Sequence, residues 1–366
     1  MRFLRIYCIL ICLPITFFVT AQEKDKPLKG EGGYAFLRRH NRDENKHYPV
    51  FVDINKGRFG KKQALLWGVY YQLPPVAEKL KTPDKQNTQD NVKPLNIKVS
   101  DTSKRTDNIK PQPAKSEKSK TGYQPLFGKQ YAHYAIADQK LAGACFFLSS
   151  GHGGPDCGAI ARVNGWELHE DEYAYDITLR LARNLLQHGA TVYIIIQDPA
   201  DGIRDDKYLN NSKRETCMGQ LIPSDQIARL RQRTNKINSL SAKAKETYQR
   251  AVFIHLDSRS RKKQLDVFFY YQDKPKNRTK SRRLAETMRD TFTDRYEIVQ
   301  PGRGFSGTVS TRNLTVMRYA EPVSIFMELA NMQNEFDQWR YVLNNNRQAL
   351  ANWMTLGFIR DYHNSK

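Results

Sequence analysis

From residue 144 onward, short apolar runs alternate with longer stretches in which apolar residues recur every three or four positions. "ACFFLSS" (144–150) reads as a buried strand and "ATVYIII" (190–196) as a second. Between them, Glu170 to His188 puts Ala174, Ile177, Leu181 and Leu185 on one face, which predicts a helix stopped by Gly189. The alternation continues with a helix near 225–240, strands at "RAVFIHL" and "DVFFYYQ", and the helix "SRRLAETMRDTF". A late strand "VSIFMEL" and a C-terminal helix through "QALANWMTLGFIRDY" complete it. Apolar strands separated by amphipathic helices predict an α/β domain over residues 123–366, a mostly parallel sheet with helices on both faces.

Upstream the pattern changes. Residues 79–121 are rich in Lys, Thr, Pro, Asn, Gln and Ser and hold no aromatic residue, so they predict a disordered linker. Residues 28–76 carry two short amphipathic stretches, "GGYAFLRRHN" and "YPVFVDINKG", which predict helices, and "ALLWGVYYQLP", which predicts a closing strand. They form a small α/β module of their own. The first residues combine two arginines, a continuous apolar run and then Val19 and Ala21 at positions that suit cleavage. Residues 1–21 therefore predict a removed secretory signal, since the run is short for a membrane span. Ile11 ahead of Cys12 argues against lipid attachment, and no later segment is apolar enough to cross a bilayer. The expectation is a secreted or periplasmic protein with no integral membrane segment.

Charge narrows the choice of partner. The 366-residue chain carries a formal +21, and loss of Arg2 and Arg5 with the signal leaves +19. Such a balance favours polyanions, namely nucleic acid, a membrane surface or cell wall, and export makes nucleic acid the least natural of these. Part of the charge lies in the linker, where it only keeps the chain solvated. Of five cysteines, Cys8 and Cys12 belong to the signal, which leaves Cys145, Cys157 and Cys217. An odd number leaves at least one unpaired within the chain, with Cys145 and Cys157 the candidates to pair.

The chemistry gathers where predicted strands end, the usual place for sites on such sheets. "FFLSS" runs into "GHGGPDCGAI", a glycine-rich loop that offers an imidazole where a phosphate cradle would want a lysine. "AVFI" runs to His255, "VSIFM" runs to Glu328, and Glu170 opens the helix after the first strand. His152, Glu170, His255 and Glu328 would share one rim if these strands are neighbours. Two histidines and a carboxylate make a zinc set with a fourth position open. A carboxylate in the apolar setting of Glu328 is costly to bury without a partner or a task. His169, beside Glu170, is the competing ligand.

"SGHGGPDCGAI", "LHEDEYAYDITLRLARNLLQHGATVYII", "VFIHLDS" and "TRNLTVMRYAEPVSIFMELANMQNEFD" together resemble the zinc-dependent N-acetylmuramoyl-L-alanine amidases. The resemblance implies a twisted α/β sheet, Zn2+ held by His152, Glu170 and His255, and Glu328 as catalytic acid/base. It implies peptidoglycan as substrate, cut at the amide between N-acetylmuramic acid and L-alanine, and leaves an activator protein open. Two features depart from the pattern: Cys157 replaces a common proline, and "MELANMQN" replaces "ELGFLSN". The insertion at 203–224 has no place in it. Residues 28–76 resemble a LysM-like glycan-binding module through Gly32, Asn55 and Gly68 to Pro74. The rival readings are a zinc peptidase cutting within the stem peptide, a non-catalytic wall-binding protein on the same fold, and a basic exported binder of nucleic acid or lipopolysaccharide.

Overall fold

The computed structural model describes residues 23–27, 32–40, 42, 44–60, 65–75, 120–258 and 264–366. The expected signal lies outside them, as does the expected linker up to residue 119. Two compact units divide the chain, Met1–Val76 and Ala77–Lys366.

The first unit is a strand, two helices and a strand. Strand Lys24–Asp25 precedes helices Gly33–Arg39 and Glu44–Ile54 and pairs antiparallel with Tyr71–Gln72. Phe36, Leu37, Phe51, Tyr71 and Leu73 form its core. Asn55 is the buried clamp. It donates to Phe51 O (2.9 Å) and Gln72 O (2.8 Å) and accepts from Gln72 N (2.7 Å), tying the second helix to the closing strand. Two expectations need correction. The module begins before residue 28, because its first strand is built from charged residues that carry no apolar alternation. The closing strand is only Tyr71–Gln72, since Trp67 and Gly68 turn the chain, with Gly68 at φ +84°.

The second unit supplies the predicted sheet. Its main elements are β1 (Ala144–Ser150), α1 (Glu170–Gln187), β2 (Thr191–Ile194), α2 (Gln226–Lys243), β3 (Tyr248–Asp257) and β4 (Phe268–Tyr271). They continue with α3 (Arg278–Val299), β5 (Thr308–Thr311), α4 (Thr315–Tyr319), β6 (Val323–Asn331), α5 (Glu335–Val342) and α6 (Asn344–His363). The strand order is β5-β4-β6-β3-β1-β2. β6, β3, β1 and β2 are parallel, while β4 runs antiparallel to β6 and parallel to β5.

Burial on both faces explains why the central strands read as continuous apolar runs. Phe146, Leu148, Val252, Ile254, Ile325 and Met327 face one core with α1, α3 and α6. Phe147, Ala251, Phe253 and Phe326 face the other, which Ile237 of α2 and Val316 and Met317 of α4 close. Adjacent residues alternate between the two cores, as the two-residue period of a strand requires.

Three further differences follow from packing. The predicted strand 190–196 breaks at Ile195, so that Ile196–Gln197 pairs instead with Thr216–Cys217. The linker's last residue, Thr121, already belongs to a strand, Thr121–Tyr123, paired with His133–Ala135. Cys145, Cys157 and Cys217 are all free, so the candidate Cys145–Cys157 pair is not formed. Cys145 lies five residues before the end of β1, about 16 Å of extended chain from the loop that carries Cys157, well beyond disulfide reach.

Candidate metal centre

Parallel pairing of β3 and β6 sets His255 directly opposite Glu328. In-register neighbours on adjacent strands share a face, so both side chains emerge on the side of α2 and α4. β1 adds Gly151, whose N–H donates to Ile254 O (2.7 Å), and then His152. His152 takes a left-handed backbone, φ +58°, uncommon for a residue with a side chain and often found at functional positions. Glu170 is the first residue of α1, where an acid suits the positive end of the helix dipole.

Ligand-type atoms of His152, Glu170 and His255 all lie within 4.8 Å of one another, and no other such group of three occurs among the described residues. The buried Glu170 carboxylate bridges the two imidazoles, with Oε2 3.1 Å from His152 Nε2 and Oε1 2.9 Å from His255 Nδ1. Backbone N–H groups fix it further: Ala159 donates to Oε2 (3.0 Å) and Leu256 to Oε1 (3.1 Å). His255 also stacks on Phe326, with centroids 4.3 Å apart. A cleft of about 520 Å³ is lined by His152, Glu170, His255, Glu328 and Arg312. Arg312 Nη1 lies 3.8 Å from Glu328 Oε1. His169, the competing ligand, turns instead to Glu167 (3.5 Å).

Burial opposes the imidazolium of His152, but the Glu170 charge and the Asp156 hydrogen bond outweigh it and raise the pKa to about 10. At His255 burial prevails and the pKa falls. Burial would raise the Glu170 carboxyl, but His152 and His255 together hold it below its ordinary value. Any ion held here would compete with the His152 proton.

Sequence reasoning missed the residues that hold the first imidazole. Asp156 Oδ2 lies 2.9 Å from His152 Nδ1 and accepts from Arg229 Nη2 (2.7 Å). Such a carboxylate behind an imidazole fixes the tautomer and leaves the other nitrogen to face a ligand. Arg233, one turn beyond Arg229 on α2, is buried and donates to His152 O and, at 3.3 Å, to Ser150 O. The four-residue spacing of Arg229 and Arg233 was the available signal, since it puts both on one helix face.

The glycines of the loop divide into two sets. A Cβ on Gly151 would lie 2.4 Å from the His255 ring, and one on Gly158 would lie 2.6 Å from His152 Cδ2 and 2.7 Å from Glu170 Oε2. These two make room for the ligands. Gly153 and Gly154 instead abut Glu215, Ile196 and Ile222.

The sequence profile of the N-acetylmuramoyl-L-alanine amidases matches residues 147–360, more than half of the chain. The chain belongs to this family. Among solved structures, the amidase AmiC2 of Nostoc punctiforme is 20% identical, with a TM-score of 0.43, over 61% of this chain and 99% of that one. Ami1 from Mycobacterium smegmatis is 19% identical, with a TM-score of 0.45, over 61% and 99%. The CwlD amidase from Clostridioides difficile, solved in complex with the GerS lipoprotein, is 17% identical, with a TM-score of 0.45, over 60% and 98%. No curated protein matches the chain.

In this amidase the insertion at 203–224 braces the His152 loop. Glu215 Oε2 accepts from Gly154 N (2.8 Å), and Glu215 Oε1 accepts from Ser212 Oγ (2.9 Å). Arg204 reaches Glu172 in the first turn of α1 (2.8 Å). A buried triad anchors the other end: Asp176 Oδ2 meets Arg180 (2.8 Å) and Arg347 (2.5 Å), while Asp176 Oδ1 accepts from Arg204 N (2.8 Å). Among the described residues of the amidase no helix is long and apolar enough to cross a membrane.

Proposed function

We propose that this amidase is an exported zinc hydrolase that cleaves the amide between the lactyl group of N-acetylmuramic acid and L-alanine in peptidoglycan. The observation that carries the reading is the meeting of His152, Glu170 and His255 within 4.8 Å, in a cleft that Glu328 also lines. The donor set fits the ion: two imidazoles and one carboxylate are ligands that zinc takes in hydrolytic sites that keep a position open. The bridging Glu170 carboxylate and the Asp156 contact to His152 fit it too, since both leave the donor atoms facing one another. His152, Glu170 and His255 would hold the ion. When bound, zinc supplies Lewis acidity, acidifying water toward a pKa of ~7 and polarising the scissile carbonyl.

The chain's own groups do the rest. Glu328 takes the proton of the attacking water and returns it to the departing α-amino nitrogen of L-alanine. Arg312, 3.8 Å from that carboxylate, keeps it aimed into the cleft. Asp156, Arg229 and Arg233 hold the His152 loop, and Phe326 holds the His255 ring. Cys157 plays no part: burial raises its thiol pKa, so little thiolate is present at neutral pH.

The N-terminal unit acts as a glycan-binding module of LysM-like type in this reading. Its strand–helix–helix–strand order and the exposed Leu66, Trp67 and Tyr70 beside the closing strand support that role. Joined to the catalytic unit through the linker, such a module raises the local concentration of wall at the active site. Residues 1–21 direct the protein out of the cytoplasm, to where the wall is.

Mass spectrometry of purified muropeptides tests the proposal, with wild type plus zinc, wild type plus chelator, and Glu328→Gln side by side. The zinc form alone releases stem peptide with a free L-alanine N-terminus, and Glu328→Gln lowers kcat by about 10²- to 10⁴-fold while keeping its zinc. Cleavage inside the stem peptide makes the protein a peptidase. Intact muropeptide in every lane, with sacculi still captured, makes it a wall-binding protein.

A further inference from the structure

The rim of the metal cleft continues into an exposed hairpin, Ile160–Val163 paired with Trp166–His169. Ala159, just before the first strand, and Glu170, just after the second, both line the cleft. The hairpin therefore springs from the cleft wall, and Trp166 near its tip stands about 13 Å of extended chain from Glu170. Asn164 and Gly165 turn it, at φ +50° and +82°, the left-handed pair that a two-residue hairpin loop prefers.

Trp166 is half exposed, although nothing in the hairpin requires an indole there. Its ring is stacked on Tyr208, with centroids 5.1 Å apart and planes 10° from parallel. Tyr208 comes from the 203–224 insertion, and its hydroxyl accepts from Asn164 Nδ2 (3.1 Å) in the hairpin turn. Lys207 places its ammonium over the Tyr208 ring (5.1 Å) and the Trp339 ring (4.9 Å). The outcome is a strip of rings, fixed by stacking and cation–π contacts, with about half of the Trp166 surface left to solvent.

We infer that Trp166, backed by Tyr208 and Lys207, is a glycan platform that stacks a sugar ring of the peptidoglycan strand beside the cleft. The inference rests on the amidase reading for the identity of its occupant. The scissile amide hangs from a glycan strand that runs on past the cleft, so a chain that cuts it there also meets sugars beyond the disaccharide being processed, and it is one of these that Trp166 stacks. A pyranose presents a flat face of C–H groups that packs on an aromatic face, and a ring held rigid in advance loses little entropy on binding. Lys207 suits the same occupant, since every amide cleaved leaves a lactyl carboxylate on the strand. The insertion thereby gains a second task, presenting Tyr208 behind the indole.

The test compares full-length wild type, Trp166→Ala and Trp166→Phe on long glycan strands carrying stem peptides and on a single-disaccharide muropeptide. Trp166→Ala raises KM on the long strands about two- to tenfold and leaves kcat, and both constants on the disaccharide, unchanged. Trp166→Phe restores most of the loss. Equal effects on both substrates, or none on either, overturn the platform. Retention of peptide-free glycan strands by the same proteins gives an arm independent of hydrolysis. Weaker retention by Trp166→Ala upholds the platform even where no protein releases stem peptide and the amidase reading fails. Equal retention removes the platform whether or not hydrolysis occurs.

Discussion

Replacing Gly158 by alanine separates backbone strain from damage to the candidate metal centre. Gly158 sits at φ +71°, so a side chain there costs about 1–2 kcal/mol from conformation alone. Gly304 makes the matched control: its φ is +76°, and a Cβ there would meet nothing within 4 Å. Strain alone lowers Tm by about 2–8 °C in both variants for a domain of this size. At Gly158 the new methyl would also lie 2.6 Å from His152 Cδ2 and 2.7 Å from Glu170 Oε2, where ordinary contact begins at 3.4 Å. The two ligands must therefore give way by about 0.8 Å, and misplacement of about 1 Å at a reacting centre costs on the order of 10²-fold in rate. The expected outcome is that Gly304→Ala loses only Tm, whereas Gly158→Ala loses zinc affinity and about 10²-fold in kcat on a soluble muropeptide. Bound zinc by competition with a chelator, kcat by product release and Tm by calorimetry give the three readings. Gly158→Ala with the zinc and turnover of the Gly304 variant would refute the placement of both ligands.

Substitutions at three further positions probe the scaffold around the site. Asp176→Asn strands the Arg347 charge in the core and leaves Arg180 only its Asp205 partner, and is expected to cost about 3–5 kcal/mol in urea unfolding, more than Arg347→Met, which leaves the Asp176–Arg180 pair intact. Burial would raise the Asp176 carboxyl, but the Arg347 and Arg180 charges outweigh it and hold its pKa below the ordinary value. Its contribution is therefore present above about pH 4 and is lost as pH falls through the folded-state value, and Asp176→Asn flattens that part of the stability curve. Glu215→Ala deprives the Gly154 N–H of its acceptor and is expected to cost about 1–3 kcal/mol and lower kcat, whereas Glu215→Gln, which keeps an acceptor, has a smaller effect on both.

The sheet was legible because its central strands are buried on both sides, which leaves no exposed position to interrupt "ACFFLSS" or "VSIFMEL" with alternating charge. Candidate ligands were legible for a related reason: a histidine or glutamate at the end of such a run has no structural excuse. Asp156, Arg229 and Arg233 were not, because charged residues in a loop or on an amphipathic helix read as surface until the fold brings them behind His152. The insertion was opaque for the opposite reason. Its anchors are contacts to residues far from it along the chain, Arg204 to Glu172 and Asp176, and Arg347 to the carbonyls of Arg204 and Asp206, and no local periodicity announces them. Lys24–Asp25 escaped notice because a two-residue edge strand has no face to bury.

The order of the strands also governs the order in which the molecule comes apart. β3 and β6, which carry His255 and Glu328, lie inside the sheet with partners on both edges, whereas β5 and β2 are the borders. Fraying begins at borders, where each backbone amide has partners on one side only, and reaches the interior last. Amide protons of residues 250–257 should therefore be among the slowest to exchange with solvent. A centre built there keeps its geometry through the partial openings that the rim of the domain undergoes many times before the whole fold is lost.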